Sequence, residues 1–497
     1  MKWTLMILLT GAIMVQCSLT PGVKVIELPV KTDPTVSFKV WFKVGSQNDP
    51  AGKEGLAALT AEMAADASTD SNSYEQILEK LYPMAAGYSA STDKEMTVIS
   101  GRVHKDYLDE YYSLLKQAIL TPAFTEDDFN RIKDNMVNYL ENSLRYSNDE
   151  AFGKEALYQF VFKNTSYDHP NEGLIESVKS ITLDDVKAFY QKYYTRDNVV
   201  LGIGGGYDQA MVRQVKKDFA MLPAGVVTQP AKPAVEPIDG MKVVLVEKEA
   251  QSTAISFGFP IDVLRGSKDF YALWIANSWF GEHRNSSSHL YQVIREARGM
   301  NYGDYSYIEY FPRGWARDFP PANAGRHQQL FEVWIRPVQN AEAQFALRAA
   351  IRELQLMVEN GLTQDEFDLT VKFLKKYHLH YAPTTGARLG YKLDDEFYGI
   401  PDHLAMFAKM FDTLTLEDVN SAIKKHLQFK NMKIAMITRN AAVLKDALIA
   451  NSPSPKSYQV EKPQAILDED KIIQNYKLDI GDDDVTIIPA DQMFVKP

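Results

Sequence analysis

The sequence predicts an α+β fold built twice over: two homologous halves, each a mostly antiparallel sheet with helices packed on one face. Two motif pairs at nearly one offset, and a matching strand-rich opening to each half, carry this expectation. Thr125-Glu126-Asp127-Asp128-Phe129 opens a helical pattern that runs on through Met136, Leu140 and Leu144. Thr363-Gln364-Asp365-Glu366-Phe367, 238 residues later, opens another that continues through Phe373 and Leu374. Both place an acid three residues after Thr, the arrangement that caps the free N–H groups of a helix start. Downstream, Thr182-Leu183-Asp184-Asp185-Val186 recurs as Thr415-Leu416-Glu417-Asp418-Val419, offset by 233 residues, and each leads through a helix into an apolar strand.

The elements follow in order. Residues 24–28 and the alternating run 36–44 open the first half; residues 242–246 and 254–259 open the second. Alternation of this length reads as strands with one buried face. Strands followed by helices, closing on a strand and a helix, give a helix layer on a sheet. The halves are expected at residues 22–225 and 241–452, joined by a semi-extended linker, 226–240, that holds Pro230, Pro233 and Pro237. Residues 453–497 form an acidic tail with Asp482-Asp483-Asp484 and one strand signal at 485–488; the sequence leaves open whether it covers an edge or lies loose. Gly202-Ile203-Gly204-Gly205-Gly206 lacks the Lys-Ser/Thr of a phosphate-binding loop and reads as a flexible strand-to-helix turn. Tyr302, Tyr305, Tyr307, Tyr310 and Phe311 read as a half-buried strand.

A chain of 497 residues with 45% hydrophobic and 24% charged residues has the composition of a globular protein with large cores. Its net charge of −11 weighs against nucleic-acid binding. Residues 1–17 read as an export signal: an apolar stretch too short to span a bilayer, ending at Cys17, the only cysteine. Cys17 is either the lipidated residue of a lipoprotein or incidental, since Gln16 stands where a small residue is expected. The expected location is the periplasm or cell envelope, with the membrane touched only through that anchor.

Three segments carry a family resemblance: residues 55–63 (Gly-Leu-Ala-Ala-Leu-Thr-Ala-Glu-Met); Asp168-His169-Pro170 with the stretch through Asp197-Asn198; and Ser287-Ser288-His289-Leu290-Tyr291 through Tyr302. Their order resembles the insulinase (pitrilysin) type of zinc metallopeptidase, whose small members close two such domains like a clamshell. Active relatives carry H-x-x-E-H on the first helix, two imidazoles on one helical face gripping zinc with a glutamate as general base. The matching positions here are Ala58, Ala61 and Glu62, and the third ligand position falls at Tyr139. Glu141 would serve only after a shift, and His169, His283, His289, His378 and His380 show no three-ligand spacing. The resemblance therefore implies no metal in this chain.

What the resemblance retains is Arg295 and Tyr302, seven residues apart across a turn at Gly299. In active relatives such a pair reaches the substrate carbonyl, where a fixed charge and a phenol stabilise the developing oxyanion. The implied function is a non-catalytic, substrate-binding subunit whose homologous partner bears the zinc motif, the pair degrading peptides. Alternatives are a catalytically dead peptide-binding scaffold of the cell envelope and an active zinc peptidase with displaced ligands.

Overall fold

The computed structural model describes residues 22–312 and 319–496. The export signal and Cys17 lie outside the described residues.

Strand β2 (Thr35–Phe42) sets the frame of the first half. Its period of two sends Val36, Phe38, Val40 and Phe42 into the main core, and turns Ser37, Lys39 and Trp41 to the opposite face. With β1 (Lys24–Pro29), β3 (Gly87–Thr92), β4 (Thr97–His104) and β5 (Val199–Gly205) it forms a sheet of order β1-β5-β2-β4-β3, parallel only between β1 and β5. The second half repeats this. Strands β6 (Met241–Glu247), β7 (Ser252–Ile261), β8 (Asp304–Tyr307), β9 (Gln329–Gln339) and β10 (Met432–Thr438) take the equivalent order β6-β10-β7-β9-β8, with β6 and β10 parallel. Thr182, Thr363 and Thr415 each cap their helix with a reciprocal side-chain box, as the repeated motifs predict.

Among the described residues, each sheet has helices of its own half on one face and a helix of the other half on the opposite face. The Thr385–Tyr398 helix lies on the first sheet, with Leu389 and Leu393 packed against Trp41, Val98 and Val200. In exchange the Asp149–Val161 helix lies on β10 and β7 of the second sheet, where Ala435 and Ile437 join the first half's core. The glycines of β5 explain themselves here. A Cβ on Gly202 would stand 2.8 Å from Leu393 Cδ1, and one on Gly204 would stand 3.1 Å from Thr385 Cγ2. Gly202 and Gly204 are thus strand residues over which a helix from the other half approaches closely, not the flexible turn expected from sequence.

Residues 223–239 carry neither helix nor strand. The tail does not lie loose. Buried Arg348 fixes its start by donating to the carbonyls of Ser452 and Gln474 at 2.8 and 2.6 Å. The Gln464–Ile473 helix is held by Arg298, which pairs with Glu469 and Asp470 at 2.7 and 2.8 Å. Strand β11 (Val485–Pro489) then adds in parallel to the edge of β6. Finally Phe494 enters the first half's core, its carbonyl accepting from Ile175 N at 2.9 Å.

Candidate functional site

The helix that carries Ala58, Ala61 and Glu62 spans Leu56–Ala65. Its N-cap is Gly55, at φ +106°, where a Cβ would lie 2.6 Å from the Glu172 carbonyl oxygen. Glycine offers no capping side chain, so Asp49 caps from a distance, accepting from Gly55 N and Ala57 N at 2.7 Å each. Ala58 and Ala61 are buried in the packing of this helix, and Glu62 is partly buried. Burial pushes the Glu62 carboxyl up to about 7; Asp66 and Glu172 add to the rise and Arg131 opposes it. Arg131 is itself engaged, pairing with Asp66 at 2.8 Å and Asp128 at 3.2 Å while stacking on Tyr74. Tyr139 begins the π-helical segment Tyr139–Ser147, and Glu141 pairs with Lys179 at 2.7 Å at the surface.

Two methyl groups, a carboxyl held near neutrality and a phenol do not make a zinc donor set. Among the described residues no three His, Cys, Asp or Glu side chains converge as one either. The histidines have structural tasks. His169 Nδ1 meets the Pro170 carbonyl at 2.8 Å, and burial drives its imidazole down to about 3. His283 Nδ1 meets Tyr307 Oη at 2.6 Å, His289 Nε2 meets Glu353 at 2.7 Å, and His378 Nδ1 meets the Leu374 carbonyl at 2.8 Å.

Arg295 lies in the π-helical turn Tyr291–Glu296, which Gly299 ends by donating to the Arg295 carbonyl at 2.7 Å. The guanidinium stacks 4.7 Å from the Tyr291 ring centre, donates to Tyr291 Oη and pairs with Glu296. Tyr302 is 76% exposed. Its turn is fixed by Asn301, which donates to Asp304 and to the Arg336 carbonyl at 2.7 and 3.0 Å. The two residues therefore flank one turn at the β8 edge of the second sheet, while the Leu56–Ala65 helix belongs to the first half.

The remaining aromatics depart from expectation. Tyr305, Tyr307, Tyr310 and Phe311 are buried rather than half-buried; Tyr305 and Tyr307 lie in β8, every residue of which is buried, and Tyr310 and Phe311 follow it outside the strand. Tyr307, Tyr310 and Trp334 lie around the ammonium of Lys154, which the sequence did not point to. The aromatic run by itself gives no hint that its cation comes from the other half.

Comparison with known proteins agrees with this geometry. Residues 25–173 match the family model described as insulinase (peptidase family M16), and residues 180–374 match the one described as the peptidase M16 inactive domain. A protein of Helicobacter pylori named non-peptidase homolog YmxG is 23% identical over 411 residues, covering 80% of this chain and 87% of that one. An uncharacterized zinc protease YmxG of Bacillus subtilis is 25% identical over 315 residues, 63% of this chain and 74% of its own. Among solved structures, a peptidase M16 inactive domain from Pseudomonas fluorescens superposes with a TM-score of 0.73 at 22% identity, covering 84% of this chain and 96% of that one. The chain belongs to the insulinase family, peptidase family M16.

Proposed function

We propose that this chain is the non-catalytic, substrate-binding subunit of a heterodimeric zinc metalloendopeptidase that degrades peptides, with a homologous zinc-motif chain as its partner. The observation that carries the reading is Tyr302, which stands exposed on a fixed turn beside Arg295. A phenol and a guanidinium on a rigid edge, with no metal donors of their own to serve, suit a site completed by another chain. Within that site Arg295 would exchange its local contacts with Tyr291 and Glu296 for the substrate carbonyl, and Tyr302 would donate one directed hydrogen bond to it. The chemistry zinc supplies, a nucleophilic water at neutral pH, belongs to the partner. The relative named a non-peptidase homolog supports the loss of self-sufficient catalysis. The same reading includes export through residues 1–17 to the periplasm or cell envelope, with Cys17 either the point of lipid attachment or incidental; mass spectrometry of the mature N-terminus decides between the two.

The functional test is peptidase activity of this chain, of a zinc-motif homologue from the same organism, and of their mixture. Activity in the mixture that falls when Arg295→Ala/Tyr302→Phe replaces the parent chain is expected. A mixture no more active than the homologue alone, or one indifferent to the double substitution, favours the peptide-binding scaffold instead.

A further inference from the structure

The face of the first sheet that the Thr385–Tyr398 helix leaves uncovered is floored by hydroxyls and cations. Strand register sets Lys39 of β2 opposite Ser100 of β4, Ser100 opposite Ser89 of β3, and Ser37 opposite Arg102. The period of two puts all five on one side. The second half borders them with Tyr391 and residues 319–323, forming an open groove of about 740 Å³. That volume lies within the range of ligand pockets.

The lining has a definite sign. Among the described residues around the groove there are two cations and no carboxylate, in a chain of net charge −11. Lys39 Nζ is aimed across the floor by donating to Ser100 Oγ at 3.2 Å and Asn323 Oδ1 at 2.8 Å. Arg102 is exposed on the same floor, and its charge reaches Asp33 through space. That carboxylate is engaged by Thr35 and Thr385, at 2.7 and 2.6 Å. The Arg102 fork is thus presented to whatever enters. The groove runs along β3, an edge strand of the sheet, so an extended chain has access from that side.

We propose that this groove binds acidic peptide segments, their carboxylates pairing with Arg102 and Lys39 and their polar atoms meeting the serine floor. A guanidinium fork matches a carboxylate in two parallel hydrogen bonds, and serine hydroxyls adapt as donors or acceptors. The site lies between the first sheet and residues 319–391 of the second half, does not include Arg295 or Tyr302, and does not rest on the proposed pairing with a zinc-bearing partner.

The test uses this chain alone and fluorescence anisotropy of a labelled peptide of alternating glutamate and threonine. Binding that weakens with salt is expected, as is its loss when glutamine replaces glutamate. Arg102→Glu should weaken it about tenfold or more, since a charge-assisted hydrogen bond is lost and a repulsion added. Ser89→Trp, which fills the groove without changing charge, should weaken it as well. Lys217→Glu, the same charge change on an exposed helix elsewhere, should leave it unaltered. Equal binding of free and amidated peptides assigns the contact to side-chain carboxylates; loss on amidation assigns it to the chain end. No binding at low salt, equal binding of the glutamine peptide, or indifference to both Arg102→Glu and Ser89→Trp overturns the proposal.

Discussion

The ammonium of Lys154 sits 3.8 Å from the centre of the Trp334 ring, with Lys154 on the helix lent by the first half and Trp334 in the second half's sheet. Glu332 completes the contact at 3.4 Å, and Lys154 also donates to the Phe311 carbonyl. A reciprocal contact runs the other way. Arg326 of the second half pairs with Asp93 of the first at 2.6 and 3.1 Å and lies 3.3 Å over the Tyr310 ring. The halves are locked by buried cations as well as by exchanged helices.

Removing one member of such a pair leaves the other charged and dry. Lys154→Met should therefore destabilise the fold by about 3–5 kcal/mol, because Glu332 is stranded. Lys154→Met/Glu332→Gln should recover much of that loss, since replacing both partners removes the uncompensated charge. Urea denaturation of the two variants checks this. A single variant as stable as the parent would show that the pair contributes nothing.

Glu62 gives a pH signature. Its carboxyl titrates near 7 when folded, against an ordinary 4.5, so the folded state holds a proton more tightly than the unfolded one. The destabilising contribution is present in full above about pH 7. It shrinks as pH falls toward about 4.5 and vanishes below that. Glu62→Gln, which mimics the protonated form, should stabilise the protein by about 1–2 kcal/mol near pH 8, allowing for partial exposure, and by nothing near pH 4.5. Urea midpoints of both proteins across this range test it; a difference that does not change with pH refutes it.

The duplication was legible because capping chemistry is local. Thr182, Thr363 and Thr415 announce helix starts through residues three places on, whatever the helices pack against. That Ala58, Ala61 and Glu62 share one helix was legible for the same reason, since a helical face follows from spacing alone. What sequence could not convey is which sheet an apolar face meets. Gly202 looked like turn chemistry because the residue that requires it, Leu393, lies in the other half. Asp49 could not be recognised as the cap of the Leu56–Ala65 helix, because the intervening residues fold back to bring it there. Arg102 is an ordinary charge on a strand until the second half is placed beside it.

The tail supplies a third test. Phe494 is 1% exposed and meets Phe152 edge-on at 5.8 Å, while Arg145 donates to the neighbouring Met493 carbonyl. Because the tail also pairs with β6, it ties one half to the other. Phe494→Ala should cost about 3–5 kcal/mol, the range for a truncated core aromatic. It should also open the segment after β11 to limited proteolysis, whereas Phe494→Leu should cost less. Unchanged stability and protease resistance in the alanine variant would show that the tail merely rests on the surface.

The last prediction separates binding from chemistry at Arg295 and Tyr302. In the active mixture with a zinc-motif homologue, a group that meets the carbonyl oxygen only as charge develops should lower kcat and leave KM nearly unchanged. Tyr302→Phe removes one donor without changing the turn, which is held by Asn301 and Arg336 rather than by the phenol. Its kcat should fall about 10²-fold, the usual loss for one oxyanion donor. Arg295→Lys keeps the charge but not the planar fork, so it should retain part of the activity that Arg295→Ala loses. Neither change should alter the melting temperature much, because Tyr302 is exposed and the contacts of Arg295 are local. A rise in KM at constant kcat would place the pair in ground-state peptide binding. Parent-like kinetics for all three variants would remove both residues from the site.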